Sequence, residues 1–175
     1  SAWNNKGIAF YNQDKYDEAI NAYDEAIQLD PEFASAWNNK GIALYKHDKF
    51  DEAIEAYDEA IRLDPEFVWA WNKKGIALGD LGNYEEAIRE YEAAIAINPN
   101  IADMHLSLGR HYRTLGIYDK AVEEFTRANA LSPEDPTPDL FISRTYATIG
   151  EYAKAMQYAE AAVKDNPSNA NLRGN

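Results

Sequence analysis

Lys6, Lys40 and Lys74 recur at a spacing of 34 residues, each three places after a tryptophan and directly before a glycine. They sit in the stretches AWNNKGIA, at Ala2 to Ala9 and again at Ala36 to Ala43, and AWNKKGIA, at Ala70 to Ala77. A lysine held among apolar neighbours loses its proton more easily and can then act as a base or nucleophile. Three near-identical copies argue for a structural role instead. In that role the stem lies along a helix pair and the ammonium turns outward to a carboxylate or a helix C-terminus. Asp30 and Asp64 are the expected partners of Lys40 and Lys74.

The other residues suited to catalysis are scattered. His47 falls near a turn, His105 at a packing position and His111 six residues further on, which gives no metal-ligand spacing. Neither a glycine-rich phosphate loop nor a Ser/His/Asp arrangement can be nominated. The chain has no cysteine, which removes disulfides, thiolate zinc sites, iron–sulfur clusters and cysteine nucleophiles. A non-catalytic chain with no cofactor and no metal is expected.

A formal net charge of −13 argues against a phosphate-backbone binder, because nucleic-acid affinity comes from Lys and Arg neutralising phosphates. No apolar run approaches the roughly 20 residues needed to span a bilayer, and no charged-then-apolar leader opens the chain. Nucleic acid and membrane are therefore not expected partners, and a cytoplasmic location is expected.

The spacing of 34 extends through the whole sequence. Alanine recurs at Ala19, Ala53, Ala87, Ala121 and Ala155, and proline at Pro31, Pro65, Pro99, Pro133 and Pro167. Each period reads as two helices. The first carries an i, i+4, i+7 face such as Trp3, Gly7 and Phe10. A break follows at Asp14, Asp48, Gly82, Gly116 and Gly150, residue types that tolerate a left-handed turn. The second helix opens on acids, as at Asp17 and Glu18, and ends before the proline. The small residues Gly7 and Ala19 let the paired backbones approach closely, with Tyr23 and Ala26 filling the space toward the next period.

Trp3, Gly7, Phe10, Tyr16, Ala19, Tyr23, Ala26 and Pro31, and their equivalents in the next two periods, resemble the tetratricopeptide repeat, a 34-residue helical hairpin. Later periods depart, with His105 and Asp139 for the tryptophan, Ser143 for the glycine and Ala159 for the aromatic. The resemblance implies an all-α fold, a right-handed superhelical solenoid of antiparallel helix hairpins. The expected array is a single one over 1–175, with units near 1–33, 34–67, 68–101, 102–135 and 136–169. The start of a further helix is expected at 170–175.

In that family first helices line a concave groove, which here takes Asn4, Asn5, Tyr11, Asn38, Asn39, Tyr45, Trp69, Asn72 and Lys73. Asparagine both donates and accepts, so a ladder of them suits an extended peptide backbone, and the aromatics add apolar contact. Arg110, Arg113 and Arg144 fall on the same side further along, where their forks suit a partner's carboxylates. The plainer alternatives are hydrophilic surface inherited by duplication and arginines paired locally with Glu123, Glu124 or Asp103. Some relatives clamp a chaperone tail with lysines, asparagines and an arginine. Only Asn39 and Lys73 match that clamp, while Asn4, Ile8 and Trp69 occupy its other positions, so this activity is not expected. The expected function is a scaffold that binds a protein or peptide, with an acidic group as one point of contact. The alternative is a segment of a longer array that self-associates through its exposed ends.

Overall fold

A left-handed residue closes every hairpin. In the computed structural model, which describes residues 1–165, Asp14 and Asp48 have φ of 57° and 60°, and Gly82, Gly116 and Gly150 have φ of 83°, 75° and 82°. The residue after each donates back across the turn, for example Lys15 N to Phe10 O at 3.1 Å and Asn83 N to Leu78 O at 2.9 Å. That bond satisfies a carbonyl that the ending helix leaves open. The expected breaks are the observed ones.

Ten helices and no strand result among the described residues. They are α1 (Ala2–Tyr11), α2 (Tyr16–Leu29), α3 (Ala34–Lys46), α4 (Phe50–Leu63), α5 (Val68–Asp80), α6 (Tyr84–Ile97), α7 (Ala102–Thr114), α8 (Tyr118–Leu131), α9 (Thr137–Thr148) and α10 (Tyr152–Asp165). Two compact units hold them, Ser1–Ile97 with α1 to α6 and a second unit from Asn98 with α7 to α10. In the first unit α1 pairs with α2, α3 with α4 and α5 with α6, and α2 lies against α3 as α4 lies against α5. The second unit pairs α7 with α8 and α9 with α10, with α8 against α9. The helix expected at 170–175 lies outside the described residues.

Each of the first four hairpins is held by a glycine pressed on an aromatic ring. A Cβ added at Gly7 would stand 2.5 Å from Cε1 of Tyr23, and one at Gly41 would stand 2.6 Å from the same atom of Tyr57. Gly75 meets Tyr91 and Gly109 meets Phe125 in the same way. All four rings are fully buried, so none has room to retreat. In the last hairpin the ring position holds Ala159 and the glycine position holds Ser143, whose hydroxyl donates to Ala155 O at 2.7 Å. The two departures compensate: where the ring is gone, the opposing residue can carry a side chain.

The tryptophan column explains a third departure. Indole N–H groups of Trp37 and Trp71 donate to the carbonyls of Pro31 and Pro65 at 3.2 and 3.0 Å. His105 keeps this bond, with Nε2 2.8 Å from Pro99 O, and its second nitrogen lies 2.6 Å from Oε2 of the buried Glu124. Arg127 reaches the other oxygen of Glu124 at 3.2 Å.

Replacing Gly41 with alanine tests the zero clearance. An exposed helix interior would gain roughly 0.5–1 kcal/mol from that change. Here the forced displacement of the Tyr57 ring outweighs it, and overpacking of this kind costs about 1–3 kcal/mol. Thermal denaturation of Gly41→Ala is expected to show a lower Tm, and a raised Tm would refute the packing account.

Candidate functional site

Three first helices of the unit Ser1–Ile97 converge on one pocket. Tyr11 from α1, Ile42, Tyr45 and Lys46 from α3, and Lys73 and Ile76 from α5 surround about 200 Å³, with Tyr57 of α4 also at its lining. Helical spacing puts Ile42, Tyr45 and Lys46 on one face of α3, and Lys73 and Ile76 on one face of α5. Ring packing fixes both tyrosines, Tyr11 tilted on Tyr16 at 5.7 Å and Tyr45 edge-on to Phe50 at 5.4 Å. The Tyr45 hydroxyl donates to the carboxylate of Asp80. Neither Lys46 nor Lys73 pairs with a carboxylate among the described residues, although the chain has 30 acids and 17 bases. The pocket thus has apolar walls and two uncommitted ammonium groups.

The asparagines divide between two levels. Asn4, Asn38 and Asn72 are buried, and Asn4 Oδ1 accepts from Asn39 Nδ2 at 3.0 Å. The Oδ1 atoms of Asn38 and Asn72 are buried without a hydrogen-bond partner. Asn5 is exposed and Asn39 half-buried, so these two have amide surface near solvent. Trp69 is exposed near the start of α5.

In the second unit Arg110 and Arg113 both lie over the ring of Phe141, their Cζ atoms 5.7 and 5.4 Å from its centroid. Phe141 itself stacks on the buried Phe125 at 5.2 Å, which anchors the platform in the core. Arg144 is exposed one turn further along α9. None of these arginines forms an ion pair among the described residues. Glu123 and Glu124, candidates for local pairing, are taken by Arg127 at 2.6 and 3.2 Å. Phe141 is a residue the sequence reading did not single out, and nothing in the sequence shows that it carries two guanidinium groups. The signal was its register, since Phe141 stands where Asn5, Asn39 and Lys73 stand in earlier hairpins.

The repeated lysines are paired, but not as expected. Lys40 Nζ is 2.7 Å from Asp24, and Lys74 Nζ is 2.8 Å from Asp58 and 2.9 Å from Glu90. Asp30 and Asp64 are engaged elsewhere, accepting from the backbone N–H of Glu32 and Glu66 in the turn after each second helix. The physical reason is position: a lysine in the middle of α3 or α5 lies opposite the middle of the preceding helix, not its end. Burial pulls the Lys74 pKa down, but the bonds to Asp58 and Glu90 outweigh it and raise the value above the usual one. Lys74 is therefore held as an ammonium and is not a base or nucleophile. Lys6 lies over Trp3 and Phe10, 4.5 and 5.7 Å from their centroids.

Two larger clefts, about 530 and 420 Å³, repeat in register along single hairpins and are rimmed by carboxylates such as Glu52, Glu55 and Glu18. No group of three or more His, Asp or Glu suited to a metal occurs among the described residues. No helix among them is long and apolar enough to cross a membrane.

The tetratricopeptide repeat model matches residues 4–66 and 72–136, and a second tetratricopeptide repeat model matches residues 140–169. The chain belongs to the tetratricopeptide repeat family. Its fold is the all-α helical-repeat solenoid of solved family members. The crystal structure of MamA is 25% identical, with 94% of this chain and 96% of that one covered at a TM-score of 0.88. YrrB, described as a tetratricopeptide repeat protein with an unusual peptide-binding site, is 20% identical over 98% of this chain and 88% of its own, at a TM-score of 0.80. A thermophilic tetratricopeptide repeat protein from Thermus thermophilus is 22% identical over 98% of this chain and 94% of its own, at a TM-score of 0.73. No curated protein sequence matches the chain significantly. Tetratricopeptide repeat proteins are in general non-catalytic scaffolds, and no enzyme family is indicated.

The buried phenols give the repeat a pH limit. Burial pushes Tyr23 up to about 12, and burial together with the bond to Asp80 pushes Tyr45 up to about 12. Tyr57, more deeply buried, goes higher still. The native state keeps these protons after the unfolded chain, with its value of 10.0, has lost them. Their stabilising contribution is present below pH 10 and disappears as pH rises from 10 through 12. The Lys74 shift has the same sign. Urea unfolding midpoints measured from pH 8 to 12 are expected to hold and then fall across that window.

Proposed function

We propose that this tetratricopeptide repeat chain is a protein-interaction scaffold whose first-helix face binds a segment of a partner protein bearing apolar and acidic side chains. The observation that carries the reading is the Tyr11, Tyr45, Lys46 and Lys73 pocket, where apolar walls adjoin two ammonium groups with no internal carboxylate. An apolar side chain in about 200 Å³ removes surface from water on both partners. A neighbouring carboxylate gains charge-assisted bonds that the chain does not itself provide. Asn5 and Asn39, on first helices of the same unit, have amide surface near solvent for a segment's backbone. Arg110, Arg113 and Arg144 around Phe141 supply the same pairing of apolar surface and positive charge in the second unit. YrrB, of the same fold, is described as having a peptide-binding site, which supports the class of ligand.

The test is selection from a random peptide library displayed against the chain. Enriched peptides are expected to pair an aromatic or aliphatic residue with nearby acids. Lys46→Glu with Lys73→Glu, or Arg110→Glu with Arg144→Glu, is expected to weaken them about tenfold, equivalent to about 1.4 kcal/mol, with little change in Tm. Affinity unchanged in both double variants overturns the proposal.

A further inference from the structure

Asn5, Asn39 and Lys73 occupy the one position at which the stretches AWNNKGIA, AWNNKGIA and AWNKKGIA differ. The residue before it is always an asparagine, Asn4, Asn38 or Asn72, and all three are buried. Between α1 and α3 these positions bond across the helices, with Asn39 Nδ2 donating to Asn4 Oδ1 at 3.0 Å. The α3 and α5 helices touch as α1 and α3 do, so the equivalent pair there is Asn38 and Lys73. No such bond forms between them. Asn38 is 5% exposed and its Oδ1 has no hydrogen-bond partner among the described residues, while the Lys73 side chain lies at the Tyr11 and Tyr45 pocket. Asn72 Oδ1 is also buried without a partner, and 35 residues after it the sequence has Ser107 rather than asparagine.

A buried carbonyl oxygen without a donor destabilises the fold, and such a group in a native structure calls for a reason. An asparagine at position 73 would supply the donor with no change of backbone, as Asn39 does for Asn4. Lysine leaves the oxygen unsatisfied and sets an ammonium on the pocket, where no carboxylate of the described residues pairs with it. A packing rule kept in one copy of a repeat and broken in the next, beside a pocket, marks a position set by binding.

We infer that residue 73 is the specificity-determining position of this pocket: Lys73 selects a segment with a carboxylate next to the apolar side chain that the pocket seats. The unsatisfied Asn38 is the consequence of that choice. The inference rests on the proposed partner reading and adds which residue decides the charge of the ligand.

Lys73→Asn makes the third stretch identical to the first two, a sequence that already folds twice in this chain. It supplies the donor that Asn38 lacks, and its Tm is expected to rise by about 2–4 °C. Lys46→Gln removes the same charge from the same pocket without supplying that donor, and its Tm is expected to stay. In Asn38→Ala the acceptor is gone, and there Lys73→Asn is expected to add nothing to the Tm. The binding measurement uses one peptide enriched from a random library on the parent chain, and the same peptide with its acids replaced by amides. The parent is expected to bind the acidic form about tenfold more tightly, and Lys73→Asn to bind the two forms alike. Acid preference retained in Lys73→Asn, a Tm no higher than the parent's, or a Tm gain that persists with Asn38→Ala overturns this inference and leaves the partner reading standing. A library that enriches no peptide overturns both.

Discussion

The contact on which the rest depends is a glycine backbone pressed against a buried ring. At Gly7, Gly41, Gly75 and Gly109 the partner ring comes so near that a single methyl group would overlap it. That clearance sets the distance between the two helices of the first four hairpins. The alanine columns then close the remaining space, and Ala19, Ala53, Ala87 and Ala121 are wholly buried. Once the spacing is set, the positions on the far side of each first helix have no packing duty. Lys46, Lys73, Arg110 and Arg144 occupy such positions, while Tyr11 and Tyr45 beside them pack partly against the core. The last hairpin shows the same constraint by exchange, since Ser143 appears where Ala159 has removed the ring.

Charge in this chain sorts into two kinds of position. Lysines on the seam between hairpins are matched: Lys40 to Asp24, and Lys74 to Asp58 and Glu90. These partly buried pairs align neighbouring hairpins, and leaving one partner alone would strand a charge in the seam. Basic residues on the first-helix faces are unmatched, although carboxylates outnumber bases in the sequence. Long flexible cations in a strongly acidic molecule readily find partners, so their concentration on one face follows from where the acids lie. Second helices carry most acids, beginning with the first-turn pairs Asp17 and Glu18, Asp51 and Glu52, and Glu85 and Glu86, which suit the positive helix end. The first-helix faces are left with an excess of positive charge and exposed aromatic surface.

The sequence by itself determined the hairpins, their turns and their order. Those depend on local rules: a small residue where backbones meet, a left-handed residue at the turn, and a proline after each second helix. Periodicity also placed Tyr11, Tyr45 and Lys73 on one side of the first helices, because a side chain's face on a helix follows from counting. Only the tertiary structure decided which partners those side chains meet. The count showed that Lys40 faces the preceding hairpin, but not that Asp24 rather than Asp30 lies opposite, because that depends on how far one helix slides along another. It placed the asparagines near the groove, but not that Asn4, Asn38 and Asn72 lie beneath the surface while Asn39 bridges to Asn4. It placed Arg110 and Arg113 on the groove side, but the ring beneath their guanidinium groups comes from Phe141 on another helix, α9. Such contacts join residues far apart in the chain, and their distances are set by the summed packing of every helix between them.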